Sequence, residues 1–290
     1  MSATTLEIQS QPALWRQVAG GPVPVELTAH GQRMLVIGCG TSAFVAMAYA
    51  ALREKAGFGE TDWAYGSEVP LARRYDTVLA LTRSGTTTEI VEALPAIDAR
   101  SKVVLTAVAG GPLSALADHE VVLDFADEAS VVQTRFPTTS LALLRHGLGE
   151  DLTATIADGE RAVLDPLTVD PTGFEHFVYL GTGWTIGLTY EAALKMREAA
   201  QAWSESYPAM DYRHGPIAVA GPNSLVWMFG TPPVGLVPQV EATGATVVTN
   251  DLDPLVQLVQ AQRCAVAVAE ARGLDPDQPR GLTRSVVLTR

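Results

Sequence analysis

The sequence has little cysteine, no long apolar run and no leader-like start. Cys39 and Cys264 are the only cysteines among 290 residues, and no C-x-x-C occurs, which excludes a disulfide framework. No uninterrupted run of 18 apolar residues is present, so no transmembrane helix is predicted. Met1–Leu14 lacks the basic and apolar regions of a signal peptide. These absences predict a cytoplasmic protein that does not contact a membrane.

Positive charge is also scarce. The chain has 20 Lys and Arg against 32 Asp and Glu, a formal net charge of −12, and no basic cluster. A nucleic-acid partner is therefore excluded, because such a partner requires neutralisation of many phosphates. No metal site is predicted either, because ligand spacing is lacking around the scattered histidines His30, His119, His146 and His176. Backbone amides at helix N-termini could still bind an anion locally.

Short runs of Val, Leu and Ile alternate with longer Ala-rich segments. The apolar runs are continuous, which is typical of strands covered on both faces, and the alternation predicts an α/β fold with a parallel sheet. The predicted strands are Met34–Ile37, Thr77–Leu81, Val103–Thr106, Val121–Leu123, Phe177–Leu180, Leu225–Phe229 and Thr246–Val248. The predicted helices are Glu7–Val18, Ser42–Lys55, Thr87–Ala99, Val131–Leu148, Trp184–Ala202 and Leu252–Arg272.

The two halves of the sequence resemble each other. Gly38-Cys-Gly40 and Gly181-Thr-Gly183 each follow a predicted strand and precede a predicted helix. This weak repeat predicts two similar α/β subdomains, residues 1–160 and 161–290, joined within Gly149–Thr172, where Gly and Pro mark turns.

Two loops rich in Gly, Ser and Thr follow neighbouring strands. They are Gly38–Ser42 and Thr82–Glu89. Because ligands bind beyond the carboxyl ends of parallel strands, the pair of loops indicates a phosphate site. Two alternatives stay open. Gly38–Ala43 followed by Asp62 fits a loose dinucleotide fingerprint, and Ser84 or Thr86 with Glu89 could form a helix capping box.

An acid/base set occurs in the second half. Lys195 and Glu198 are spaced i,i+3 on one predicted helix, so they share a face, and His214 precedes Gly215-Pro216. The alternatives are a surface ion pair and a structural histidine in a turn. A carboxylate beside an ammonium on a largely apolar helix suits a general base, and an imidazole titrates near neutral pH.

Five motifs in order resemble the SIS (sugar isomerase) domain family, and more narrowly the isomerase half of the glucosamine-6-phosphate synthases. They are the start Glu7-Ile8 with Gln11-Pro12, Gly38–Ser42 with Thr82–Thr87, Glu191–Glu198, Arg213–Pro216 and the tail Asp277–Val286. The resemblance implies two flavodoxin-like α-β-α sandwiches with parallel sheets. It places the phosphate loops in the first subdomain, and the acid/base residues and a closing tail in the second.

The resemblance also implies site residues. Those of the phosphate loops are Gly40, Thr41, Ser42, Thr82, Arg83, Ser84, Gly85 and Thr87. Val131 and Gln133 match the stretch that contacts the sugar hydroxyls, and Thr283 and Arg284 lie in the closing tail. Glu198 would move the proton between C1 and C2 beside Lys195, and His214 would open the ring. Three positions depart from the synthase pattern, with Arg83 in place of glutamine, Gln133 in place of serine and Arg284 in place of lysine. Arginine at position 284 keeps the charge but does not readily form an imine.

The expected activity is isomerisation of a hexose or hexosamine 6-phosphate without a cofactor. The expected assembly is a homodimer in which His214 comes from the neighbouring subunit. The synthases carry a glutamine-hydrolysing domain, whereas the α/β unit here begins almost at once, so we expect no use of glutamine by this chain. Two alternatives stay open: an amino-sugar-phosphate deaminase or deglycase of the same fold, and a non-catalytic sugar-phosphate sensor.

Overall fold

The computed structural model describes residues 1–288, which contain nine strands in two sheets. All pairings between neighbouring strands are parallel. The strands are β1 Met34–Gly38, β2 Thr61–Tyr65, β3 Arg74–Thr82, β4 Asp98–Thr106, β5 His119–Val122, β6 His176–Gly181, β7 Trp203–Pro208, β8 Ser224–Met228 and β9 Thr246–Val248.

Eight α-helices connect or cover these strands in the described part of the chain. They are α1 Ala3–Ala19, α2 Thr41–Lys55, α3 Thr88–Ala96, α4 Arg135–Gly147, α5 Thr153–Ala162, α6 Thr185–Ala200, α7 Leu236–Glu241 and α8 Pro254–Ala271. No helix within residues 1–288 is both long enough and apolar enough to span a bilayer.

The strand orders are β2-β1-β3-β4-β5 in one sheet and β7-β6-β8-β9 in the other. The first is the flavodoxin-like order 2-1-3-4-5, and the second repeats its first four positions. In both sheets the first strand of the repeat, β1 or β6, has a strand on each side and is buried at every residue. The predicted α/β fold with two parallel sheets is confirmed.

The chain forms two compact units, each built from more than one segment. The five-stranded unit contains Ser10–Ala129, Gln133–Thr153 and the tail from Thr283 onward. The four-stranded unit contains Met1–Gln9, Ser130–Val132 and Ala154–Leu282. The division thus differs from a single boundary at residue 160, because the tail bonds to the loops of the five-stranded unit.

Each unit has its own apolar core. In the five-stranded unit, Leu35, Ile37 and Val104 pack with Ile90 and Leu94 of α3. In the four-stranded unit, Val178, Leu180 and Val226 of the sheet pack with Leu236 and Val240 of α7, while α6 packs on β6, β7 and α8. Removal of these apolar side chains from water stabilises each sheet against its helices.

The predicted elements differ from the observed ones mainly at the sheet edges. Edge strands β2 and β7 are missing from the sequence prediction because polar and half-exposed residues interrupt them, so neither gives a continuous apolar run. Three further differences concern helices. The predicted helix Thr87–Ala99 ends at Ala96, since β4 begins at Asp98; α5 lies within the predicted linker Gly149–Thr172; and α7 was not predicted.

Candidate active site

The turn between β1 and α2 is tightly closed. A Cβ on Gly38 would lie 2.5 Å from the carbonyl carbon of Ser42 and 2.6 Å from the Ala43 nitrogen, so only glycine fits. Gly40 has φ of +52° and directly precedes α2, which begins at Thr41. This backbone brings the buried Ser42 into the first turn of α2, beyond the carboxyl end of β1. A helix N-terminus in this position suits an anion.

The turn after β3 is built from hydroxyl groups. Thr82 ends β3, and its Oγ1 accepts the Gly85 N–H at 3.3 Å. Ser84 Oγ accepts the Thr86 N–H at 3.3 Å and lies 3.0 Å from Thr86 Oγ1. These hydroxyls are therefore fixed within the loop before α3.

The capping-box alternative differs from what the structure shows. Helix α3 begins at Thr88, so its N-cap is Thr87 rather than Ser84 or Thr86. Within residues 1–288, no side-chain capping bond from Thr87 to α3 is formed.

A small cavity lies between these loops in the five-stranded unit. Its volume is about 30 Å³, comparable with the share of liquid that one water molecule occupies. Seven of the predicted site residues line it, namely Ser42, Thr82, Arg83, Ser84, Thr87, Gln133 and Arg284. Cys39 lines it as well, and burial raises the pKa of its thiol to about 11, with the Glu89 carboxylate acting in the same direction.

The C-terminal tail bonds directly to the phosphate loop. Ser285 Oγ lies 3.0 Å from Ser84 Oγ and 2.9 Å from Thr86 Oγ1. The Thr88 N–H, the first of α3, donates to the Val286 carbonyl at 3.1 Å. Arg83 Nη2 donates to the Arg284 carbonyl. Groups that suit a phosphate are thus bonded to the tail, which explains the small volume of the cavity.

The two guanidinium groups that line the cavity, those of Arg83 and Arg284, each have a carboxylate nearby. Arg83 Nη1 lies 3.9 Å from Glu128 Oε2, and both side chains are at most 1% exposed. Arg284, which is partly exposed, forms an ion pair with Asp127 and donates to the Glu128 carbonyl. The positive charges at the cavity are therefore partly balanced by carboxylates that lie behind its lining residues.

The three remaining predicted residues, which belong to the sugar-contacting stretch and the tail, have different local surroundings. Gln133 precedes α4 and lines the cavity. Val131 belongs to the four-stranded unit, where its N–H donates to the Asp277 carbonyl at 3.1 Å. Thr283 is exposed, and its Oγ1 donates to the Ser285 carbonyl at 2.9 Å, so it shapes the tail.

Helix α6 of the four-stranded unit places three charged side chains on one face. Lys195 Nζ lies 2.5 Å from Glu198 Oε2 and 3.4 Å from Glu191 Oε1. Lys195 and Glu191 side chains are 1% exposed, and that of Glu198 is 18% exposed. The alternative of a solvated surface ion pair is therefore wrong. Glu191 was missed, although its i,i+4 spacing from Lys195 is the signal that could have identified it.

Glu198 opens onto a second cavity, of about 440 Å³, within the four-stranded unit. This volume lies in the range of small-molecule sites. The other residues that line it are Leu194, Arg197, Gln201, Ala202, Arg280 and Leu282. A carboxylate held by a buried ammonium at the edge of such a cavity can accept a proton from a bound ligand.

His214 ends a 3₁₀ turn, Asp211–His214, that follows β7. The residue is exposed, and Gly215 after it has φ of +142°. The structure thus places His214 on a turn rather than with the Lys195–Glu198 pair on α6. Glu205 Oε2 lies 3.1 Å from Nε2 of the buried His176.

Two further observations concern the carboxylate and histidine side chains. Among residues 1–288, no group of three or more His, Cys, Asp and Glu has the arrangement of a metal site. Asp62, which the dinucleotide alternative requires for a ribose, is bonded to Arg73 at 2.9 Å and to Tyr75 at 2.7 Å.

The sequence of this chain is similar to a known protein family and to individual proteins of known activity. The model of the SIS domain family matches residues 27–145, which include both loops and most of α4. The glutamine–fructose-6-phosphate aminotransferases of Pyrobaculum aerophilum and Gloeobacter violaceus are 26% and 27% identical. Each alignment covers 97% of this chain but only 57% and 58% of the relative. The chain therefore spans little more than half the length of these relatives.

Solved structures share the whole fold. A glucosamine-6-phosphate deaminase from Thermotoga maritima superposes with a TM-score of 0.84 at 24% identity, covering 99% of this chain and 100% of that one. A tagatose-6-phosphate ketose/aldose isomerase from Escherichia coli gives 0.78 at 18% identity, covering 100% and 96%. The C-terminal domain of the Francisella tularensis aminotransferase gives 0.77 at 19% identity, covering 96% and 98%. The resemblance identified from the motifs is thus matched by the SIS domain family over residues 27–145, and the rest of the chain shares the fold of these solved structures.

Proposed function

We propose that this protein isomerises a hexose or hexosamine 6-phosphate. The observation that carries the proposal is the wall of buried hydroxyls and Arg83 at the start of α2 and α3, in a chain that also holds the Lys195–Glu198 pair. Hydroxyls, helix N-termini and a guanidinium together bind a phosphate, and a held carboxylate moves protons.

The phosphate would bind in the five-stranded unit. Ser42, Ser84 and Thr87 would donate their hydroxyls, and Arg83 would provide a charged, two-pronged donor. Because the tail now contacts Ser84 and Arg83, the tail must shift for a phosphate to enter. Gln133, on the same wall, would contact a sugar hydroxyl.

Proton transfer would use the four-stranded unit. Glu198 would take the proton from one of the carbons C1 and C2 and return it to the other, while Lys195 fixes the carboxylate. His214 of the neighbouring subunit in a homodimer would open the ring, which suits its exposed position. Arg284 would bind an oxygen of the enediolate rather than form an imine. This chemistry moves only protons, so we propose no cofactor.

Proton exchange in deuterated water tests the proposal. The protein is incubated with fructose 6-phosphate and with glucosamine 6-phosphate, and deuterium at C1 and C2 is followed by NMR. Exchange that disappears in Glu198→Gln supports Glu198 as the base, with Glu270→Gln, an exposed carboxylate of α8, as the matched control. Exchange that persists in Glu198→Gln rejects Glu198.

Deamination of an amino-sugar phosphate is the second candidate. The full-length superposition on the Thermotoga maritima glucosamine-6-phosphate deaminase favours it, and the same enolamine chemistry would serve. Ammonia release from glucosamine 6-phosphate identifies this reaction, whereas conversion without ammonia identifies isomerisation. Tight binding of both sugars without exchange or ammonia would indicate a sensor.

A further inference from the structure

Glu128 is a buried carboxylate of the five-stranded unit. It lies near Arg83, which lines the cavity, and at the start of α4, next to Gln133, which also lines it. Its Oε2 lies 3.9 Å from Arg83 Nη1, and both side chains are at most 1% exposed. A charge this deeply buried needs a neighbour of opposite sign, because desolvation is otherwise too costly. Glu128 is therefore a nearby counter-charge for the buried Arg83 guanidinium, whose Nη2 also donates to the Arg284 carbonyl.

The other oxygen of Glu128 holds the start of α4. Oε1 accepts the Thr134 N–H at 2.5 Å, the Arg135 N–H at 2.7 Å and the Thr134 hydroxyl at 3.1 Å. These are the N–H groups that a helix leaves without internal partners, so a carboxylate there fixes the helix start. Gln133 is bonded in sequence to Thr134, and its backbone is fixed with it.

The main chain of Glu128 reaches a third residue of the wall. Its carbonyl accepts a hydrogen bond from the Arg284 guanidinium. One residue thus bonds to the elements that carry Arg83, Gln133 and Arg284. These are the three positions at which the sequence departs from the synthase pattern.

We propose that Glu128 is a positioning residue that links phosphate binding to the selectivity between sugars. It holds Arg83 toward the phosphate and Gln133 toward the sugar, so the two substitutions act as one unit. The sugar-phosphate ligand in this inference rests on the proposed function. A purely structural ion pair would instead affect stability alone.

Three variants separate positioning from stability: Glu128→Gln, Arg83→Gln and the double variant. Glu68→Gln, an exposed carboxylate of the same unit, is the matched control. Calorimetry measures the Kd of inorganic phosphate, fructose 6-phosphate and glucosamine 6-phosphate. Thermal unfolding measures the midpoint of each variant, and circular dichroism confirms that each is folded.

We expect Glu128→Gln to weaken fructose 6-phosphate binding about tenfold, because the neutral amide no longer holds Arg83 by charge. The amide also accepts the α4 N–H groups less strongly than a carboxylate does, so that Gln133 is less well fixed. Arg83→Gln weakens phosphate binding at least as much and lowers the unfolding midpoint by about 5–10 °C, since it leaves Glu128 buried without its ion pair. The double variant regains most of that midpoint but not the affinity, because the two residues are coupled.

The coupling has a sharp signature. In the Arg83→Gln background, adding Glu128→Gln changes the Kd of inorganic phosphate by less than about twofold, since the guanidinium is already gone. The ratio of the two sugar Kd values still shifts, through Gln133. Glu68→Gln leaves all values unchanged.

Two results would overturn the inference. If Glu128→Gln lowers the unfolding midpoint but leaves every Kd unchanged, Glu128 is only structural, and the proposed function stands. If the wild-type protein binds neither inorganic phosphate nor either sugar phosphate, the proposed function fails and this inference fails with it. A Glu128→Gln variant that does not fold is replaced by the double variant, in which the sugar ratio alone decides.

Discussion

The two candidate cavities, one in each unit, differ in size and in the source of their polar groups. The cavity of the five-stranded unit is about 30 Å³ and is lined by loop hydroxyls and two guanidinium groups. Each guanidinium group forms an ion pair, Arg83 with Glu128 and Arg284 with Asp127. The cavity of the four-stranded unit is about 440 Å³. It is lined by residues of α6, by the two residues 201 and 202 that follow this helix, and by Arg280 and Leu282. The same α/β repeat therefore has a small polar cavity in one unit and a large cavity bordered by a buried ion pair in the other.

The difference between the two cavities follows from the segments that come after β1 and β6, the first strand of each repeat. In the five-stranded unit, helix α2 begins one residue after Gly40 and presents small polar residues at its start. In the four-stranded unit, Gly181-Thr-Gly183 leads into α6, whose charges lie three turns further along the helix. A helix start binds anions through its N–H groups, whereas a helix face holds side chains that exchange protons.

The largest expected effect separates these two roles. Glu198→Gln lowers kcat about 1,000-fold, because a general base is lost, but changes the Kd of fructose 6-phosphate less than about threefold. Ser84→Ala should leave kcat nearly unchanged but raise the Kd of fructose 6-phosphate about tenfold, because a hydrogen bond to the charged phosphate is lost. Steady-state kinetics and calorimetry measure both. Equal losses of kcat and affinity in the two variants would contradict the division of roles.

A mixing experiment sharpens the comparison for His214. If the imidazole serves the other subunit of a homodimer, the inactive variants Glu198→Gln and His214→Asn complement each other when they are unfolded and refolded together. Random pairing then restores about a quarter of the wild-type sites. Each variant refolded alone is the control. No recovery in the mixture, with dimers present in sedimentation, rejects a shared site.

The smallest expected effect concerns the first turn of α1. Asp277 accepts hydrogen bonds from the Ala3 and Thr4 N–H groups, each at 2.7 Å. Burial raises the pKa of Asp277, but the hydrogen bonds from Thr4 and Ala3 outweigh it, and the net pKa is lowered. The stabilisation is thus present above the ordinary pKa of an aspartate and is lost as pH falls through the lowered value.

Asp277→Asn should therefore cost about 1 kcal/mol of unfolding free energy at pH 7, because an asparagine has one acceptor oxygen where Asp277 uses two, so one of the two N–H bonds is lost. The difference from the wild type should be smaller at an acidic pH below the lowered pKa of Asp277, where both side chains are neutral, than at pH 7. Urea unfolding at the two pH values measures it. A difference that stays constant with pH would show that the carboxylate charge has no part in the cap.

Central strands and loop motifs could be predicted from the sequence, whereas tertiary contacts could not. The run Met34–Ile37 predicts a buried strand because it is apolar on both faces, but Thr61–Tyr65 begins with two polar residues, is only partly buried and lies at a sheet edge. The loop residues Ser42 and Ser84 follow from local patterns. The bond between Ser285 and Ser84, and the role of Glu128, join residues distant in sequence, and no local pattern reports such contacts.

The acid/base helix shows the same limit. The i,i+3 spacing of Lys195 and Glu198 indicated a shared face, but only packing against the sheet and α8 decides that Lys195 is buried. The exposed turn that carries His214 likewise depends on how β7 ends, which the sequence did not predict because β7 itself was missed.

The protonated state of both thiols has a practical consequence for spectroscopy. Burial raises the pKa of Cys39 to about 11 and that of Cys264 to about 12, so neither forms appreciable thiolate at neutral pH. Maleimide dyes, which react with thiolate, should label the native chain slowly. A cysteine introduced at an exposed tail position such as Val287 would then be labelled selectively, so that fluorescence could follow the tail as phosphate binds.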